Sequence, residues 1–107
     1  MPILVKISHY DPTKGGVNCL TFVNGKCISK MANGEPWEKY WGLNNTIACP
    51  KELDFGTQIE LDDNIYTCRD RGGMIVITDN NEYWIDILSP TVPYPYGMVK
   101  EAYILEK

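Results

Sequence analysis

Apolar and polar positions alternate along most of this chain in short runs, separated by turn-forming residues. Such alternation predicts strands, because successive side chains on a strand point to opposite faces. A first strand is expected over residues 3–10, ended by Asp11-Pro12 and Gly15-Gly16. Residues 20–23 and 27–29 flank Asn24-Gly25, the strongest short-range hairpin signal. Asn33-Gly34 marks a turn, residues 36–41 offer the one helical turn, and residues 46–49 are short and extended. A hairpin is expected from residues 57–61 and 65–69 around Asp62-Asp63-Asn64, and another from residues 74–78 and 83–88 around Asp79-Asn80-Asn81. A loop with Pro90, Pro93 and Pro95 leads to a last strand at residues 98–105. No amphipathic helix of three turns, internal repeat or low-complexity tract interrupts this pattern. Six or seven short strands joined by tight turns imply an all-β small barrel or sandwich.

The 107 residues fit one domain spanning residues 1–107, with a core modest enough that cross-links would matter. A net charge of −4 with scattered Lys and Arg argues against a nucleic-acid partner, which calls for a basic face. The longest apolar runs are far short of a membrane span, so no membrane insertion is expected. The first ten residues lack the basic leader, long apolar run and small-residue cleavage site of a signal peptide. Export by a trimmed leader, by host lysis or on a phage particle is therefore the expectation.

Cys19, Cys27, Cys49 and Cys68 can pair in three ways. Zinc is the alternative, but there is no C-x-x-C pair and the only histidine is His9, so disulfides are expected and neither metal nor cofactor is. The Asn24-Gly25 hairpin would set Cys19 opposite Cys27, which pairs those two. Each bridge would contribute about 2–4 kcal/mol and implies an oxidising compartment, extracellular or in a cell envelope.

Two acids stand out. In Tyr83-Trp84-Ile85-Asp86-Ile87-Leu88 the strand period places Trp84, Asp86 and Leu88 on one face. An acid beside a tryptophan on an apolar strand would have its pKa raised by burial, which suits a general acid; the alternative is a structural acceptor of backbone N–H groups. Tyr66, Cys68 and Asp70 are likewise expected to share a face, with Arg71-Gly72-Gly73 letting the backbone turn sharply toward a ligand. Asp70 could equally be the hydrogen-bonding residue of an ordinary turn. Trp37, Tyr40 and Trp41 cluster in a turn-rich segment, and Tyr94 and Tyr96 sit in the Pro-rich loop. Flat aromatic rings pack against the C–H faces of sugars, or else plug a barrel end; Trp37 is the better binding candidate. His9, alone at a strand end, reads as structural. No Ser–His–Asp set, phosphate loop or dinucleotide fingerprint is present.

Taken together, these segments resemble the double-psi β-barrel superfamily of wall-acting proteins. That superfamily includes expansins, barwin-like proteins, rare lipoprotein A and the three-aspartate domain of lytic transglycosylases. His9-Tyr10-Asp11-Pro12 with Gly15-Gly16-Val17-Asn18-Cys19 resembles the opening of expansin and barwin-type domains. Ala32-Asn33-Gly34-Glu35 is similar to a segment of rare lipoprotein A, and Phe55-Gly56-Thr57 to the turn before a barrel strand. Asp70-Arg71-Gly72-Gly73 and Ile85-Asp86-Ile87-Leu88 resemble the second and third aspartate motifs of the three-aspartate domain. At the first aspartate motif the chain has Thr46-Ile47-Ala48-Cys49-Pro50, so Cys49 replaces a polar residue, as in barwin-like carbohydrate binders.

The resemblance implies a six-stranded double-psi barrel with short helical turns and a Cys49–Cys68 bridge. It implies Asp86 as acid/base and Asp70 as the residue that positions substrate or tunes Asp86. Tyr10, Glu35, Trp37, Glu38 and Trp84 are then the substrate-binding candidates. The expected activity is lytic-transglycosylase-like cleavage of peptidoglycan or a related polysaccharide by a monomer. Alternatives are a non-catalytic polysaccharide-binding or wall-loosening module, and a structural domain of a phage or secreted assembly.

Overall fold

The alternation at the start of the chain is realised as β1, Pro2–Tyr10, with Ile3, Val5 and Ile7 buried and Leu4 exposed between them. The structure, a computed structural model, describes residues 1–105. The other strands are β2 (Phe22–Val23), β3 (Lys26–Cys27), β4 (Thr46–Ala48), β5 (Gln58–Leu61), β6 (Asn64–Asp70), β7 (Glu82–Leu88) and β8 (Met98–Ile104). Among the described residues helical structure is limited to three 3-10 turns, Pro12–Lys14, Gly16–Asn18 and Trp37–Tyr40.

Six strands close into a barrel in the order β1-β7-β4-β6-β5-β8, and β2 pairs with β3 as a separate hairpin. β1 runs parallel to β7 and β4 parallel to β6, while the other neighbours are antiparallel. Parallel neighbours cannot be joined by a tight turn, so the chain crosses the barrel between them. This closed mixed barrel is all-β and compatible with a double-psi topology. Closure gives each of the six strands a neighbour on both sides, although β4 covers only Asp86 and Ile87 of its β7 edge.

The interior is filled by Val5, Ile7, Ile47, Ile59, Tyr66, Ile85, Ile87 and Ala102, all essentially inaccessible. Burying each of the larger aliphatics stabilises the fold by about 1.5–3 kcal/mol. A second cluster lies outside the barrel wall, where Leu88 of β7 packs with Met31, Trp37 and the Cys19–Cys27 bridge. It anchors the long β1–β4 connection against the wall. The expected turns form as read: Asn24-Gly25 and Asp62-Asp63 both take positive φ, which two-residue hairpins require.

Both disulfides form, Cys19–Cys27 with Cα atoms 5.9 Å apart and Cys49–Cys68 at 5.7 Å. The first ties the end of the Gly16–Asn18 turn to β3, where Phe22 rather than Cys19 stands opposite Cys27, and the second ties the residue after β4 to β6 inside the core.

Two expectations fail for identifiable reasons. Residues 74–78 are not a strand, making only an isolated bridge from Ile77 to Tyr83. One edge of β7 is paired along its length by β1, and β4 takes Asp86 and Ile87 on the other. The segment finds only the uncovered start of that edge, where the Trp84 N–H donates to the Val76 carbonyl at 3.1 Å and the Thr78 N–H to that of Glu82 at 2.8 Å. Asp70, moreover, does not share the face of Tyr66 and Cys68. Register slips by one residue between Ile47 and Ala48, so Ile47 opposes Cys68 but Ala48 opposes Asp70. This bulge turns Asp70 out of the core that holds Tyr66 and Cys68.

Candidate functional site

The same bulge builds the site. Asp70 and Asp86 are not on adjacent strands; β4 lies between them, and Ala48 opposes Asp70 on one side and Asp86 on the other. The small alanine leaves open space between the two acids. A cavity of about 540 Å³, within the range of small-molecule sites, is lined there by Tyr10, Ala48, Asp70 and Asp86. Trp37, Met31, Arg71 and Gly72-Gly73 form further walls.

The two carboxylates have different surroundings. Asp70 is fully engaged: Oδ1 accepts from the backbone N–H groups of Ala32 and Arg71, each at 2.8 Å. Its Oδ2 accepts from the Tyr10 hydroxyl at 2.9 Å. Three donors hold Asp70 as an acceptor that pins the loop at Ala32 onto the barrel. The Tyr10 hydroxyl is correspondingly pushed well above the usual phenol range, chiefly by burial and then by the Asp70 charge. Asp70→Ala should therefore destabilise the domain by about 1–2 kcal/mol, since three hydrogen bonds to a charged acceptor are lost but the Ala32 donor is exposed and can turn to water. Urea unfolding measures this, and Tyr10→Phe should have a smaller effect because it removes a single donor.

Among the described residues the Asp86 carboxyl has one hydrogen-bond partner. Ser8 lies directly opposite it on β1, and its Oγ donates to Asp86 Oδ1 at 2.9 Å. Ser8 Oγ in turn accepts from Trp84 Nε1 at 2.9 Å. Burial, opposed by the Ser8 hydrogen bond and aided by the Asp70 charge, pushes the Asp86 carboxyl from 3.8 up to about 6. A carboxyl titrating there is protonated in a useful fraction near neutrality, as a general acid must be. Among the described residues its Oδ2 has no hydrogen-bond partner in the protein.

The other expected binding residues divide. Tyr10 and Trp37 line the cavity. Trp37 is only 7% exposed, however, packed edge-on to Trp41 at 5.2 Å and within the second cluster, so it supports the wall as much as it faces the cavity. Among the described residues its buried Nε1 has no partner. Trp84 does not line the cavity and reaches Asp86 only through Ser8. Glu35 and Glu38 do not line it either. Glu35 is bound by Lys39, Tyr40 and Asn33, and the Lys39 and Tyr40 hydrogen bonds hold its carboxyl down at about 2. It braces its own turn. Cys49 and Cys68 are inaccessible in the barrel, and Arg71 Nη1 donates to their sulfurs at 2.8 and 3.0 Å while its guanidinium stacks on Phe55. His9 stacks against Tyr94 at 6.0 Å with both ring nitrogens buried and, among the described residues, unpartnered, and burial lowers its pKa.

Ser8 and Ala48 are the contributors that sequence reasoning missed. The signal for Ser8 was available: Lys6, Ser8 and Tyr10 alternate on the polar face of β1. Nothing local marks Ala48, whose role comes from standing between two strands distant in sequence. Among the described residues no group of His, Cys, Asp and Glu is arranged to hold a metal ion. Among the described residues no helix is long and apolar enough to cross a membrane.

The fold and site thus define a small closed β-barrel with a cavity on its outer wall where Asp70 and Asp86 meet Lys30 and Arg71. No family model, curated protein or solved structure matches this chain.

Proposed function

We propose that this domain is a double-psi barrel that acts on cell-wall polysaccharide, cleaving peptidoglycan glycan strands as lytic transglycosylases do. The observation that carries this reading is Asp86: a half-buried carboxyl with a pKa raised to about 6, bordering a cavity. Asp70 is committed to three donors, leaving one carboxyl free for chemistry. A single carboxyl suffices when the sugar's own hydroxyl is the nucleophile, unlike the two-carboxylate scheme of ordinary glycosidases. Asp86 would protonate the glycosidic oxygen as the C1–O bond breaks. The C6 hydroxyl of the same sugar then attacks C1 and gives its proton to the Asp86 carboxylate, closing a 1,6-anhydro ring and restoring the acid. The two disulfides fit work outside the cytoplasm.

The test is mass spectrometry of purified peptidoglycan after incubation with the protein, where 1,6-anhydro-muropeptides are expected. Their yield should fall as pH rises through about 6, because the fraction of Asp86 carrying its proton falls there. Binding to the glycan without any such product would favour a non-catalytic binding module. One observation supports that second reading: Cys49, in the core and bonded to Cys68, supplies no polar group beside Asp86.

A further inference from the structure

The outer face of β1 and β7 continues past Asp86, away from the cavity. In register, Ser8 opposes Asp86 and Lys6 opposes Trp84, two residues further along both strands. That step is about 6.6 Å, a distance one sugar ring can span. Lys6 Nζ sits over the Trp84 ring, 4.9 Å from its centroid, and among the described residues it makes no ion pair. Tyr96 meets Trp84 edge-on, with centroids 5.8 Å apart and planes at 61°, and is 78% exposed.

This corner is held in place. Trp84 is fixed by its hydrogen bond to Ser8. Tyr96 stands in a turn closed by the Met98 N–H on the Pro95 carbonyl at 3.1 Å, with Gly97 at φ 77° in the third position. A type II turn requires a positive φ there. The Gly97 N–H donates to the Ile7 carbonyl at 2.7 Å, tying the turn to β1. An added Cβ on Gly97 would lie 3.6 Å from Lys6 Cε, so the turn runs along the lysine stem.

We infer that Lys6, Trp84 and Tyr96 form a subsite for a carboxylate-bearing sugar, adjoining Asp86 on the side opposite the cavity. The exposed Tyr96 ring supplies the face on which the sugar's C–H groups stack. Lys6, aligned by Trp84 and lacking an internal counter-ion, takes the sugar carboxylate. Two kinds of glycan carry such a group next to the ring: strands with lactyl ethers and chains of uronic acids. The inference rests on the polysaccharide reading above and adds a charge preference that a neutral-glycan site would lack.

The test compares binding by calorimetry at low salt. One probe is peptidoglycan strands stripped of their peptides, with lactyl carboxylates free or converted to amides. The other is polygalacturonate and its methyl ester. The protein should bind the free acid of one probe about two- to five-fold more tightly than the blocked form, as a partly exposed charge pair allows. Preference confined to the stripped strands assigns the lactyl group, and preference confined to polygalacturonate assigns a uronic acid. Lys6→Gln should erase the preference without lowering the melting temperature, whereas Tyr96→Ala should weaken acid and blocked forms alike. Equal binding of acid and blocked forms, or a preference that survives Lys6→Gln, overturns the subsite. If anhydro products still form in that case, the proposed activity stands alone. If no probe binds and no product forms, both fall together.

Discussion

Asp86→Asn is expected to lower glycan cleavage by about 10²–10⁴-fold while leaving the barrel folded and glycan binding close to that of the unsubstituted protein. Asparagine keeps an oxygen to accept from Ser8 Oγ but has no proton to deliver. The stability of the variant distinguishes a catalytic acid from a structural one. With its pKa raised from 3.8 to about 6, Asp86 binds its proton more tightly in the folded chain than in the unfolded one. Its contribution to stability is therefore fully present below about pH 4 and is lost as pH rises through about 6, a difference of up to about 3 kcal/mol. Asp86→Asn removes that penalty, so the variant should be at least as stable as the unsubstituted protein at pH 7 and gain nothing at pH 3.5. Urea unfolding at the two pH values measures this. A variant that unfolds at pH 7 would identify Asp86 as a structural acceptor and remove the acid from the proposed mechanism. Stability given up at a site that needs a buried acid is the trade expected of a functional residue.

Replacing Cys49 and Cys68 together by alanine should destabilise the domain by about 2–4 kcal/mol, lowering its melting temperature on the order of 10–20 °C. The bridge closes a longer loop than Cys19–Cys27, with a sequence separation of 19 against 8. Loop length alone makes it the stronger of the two by less than about 1 kcal/mol. Position adds to the difference, because both sulfurs lie in the barrel core and accept from Arg71. The bridge also fastens the end of β4 to β6 beside the bulge that presents Asp70. Cleavage should therefore decline at temperatures below the melting transition of the double variant. Removing Cys19 and Cys27 should instead loosen the cavity wall and leave β4 in place.

How the chain pairs locally could be read from its residues. Asn24-Gly25 and Asp62-Asp63 dictate two-residue turns through the backbone conformation they adopt. The Cys19–Cys27 pair forms, but Phe22 is the residue opposite Cys27 in the hairpin, and Cys19 reaches it from the end of the preceding 3-10 turn. The alternation in β1 and β7 fixes which side chains enter the core, because a strand has a strict period of two. That rule also put Trp84 and Asp86 on the outer face together. Where a strand stops competing for partners was not legible, and residues 74–78 have the composition of a strand but only the uncovered start of one β7 edge to pair with.

The sequence by itself determined the all-β class, the hairpins around Asn24-Gly25 and Asp62-Asp63, the Cys19–Cys27 pair and the choice of Asp70 and Asp86 as the acids to watch. Each follows from interactions between residues close in the chain or from the period of one strand. Only the tertiary structure decided that the two acids flank Ala48 across an intervening strand and that a bulge turns Asp70 outward. Only it showed that Asp70 is consumed by three donors while Asp86 retains a free oxygen, and that Glu35 and Glu38 lie off the cavity. These outcomes depend on strand order and on register between segments as far apart as Ser8 and Asp86. Barrel closure fixes that register by satisfying every strand at once, and no window of sequence contains that condition.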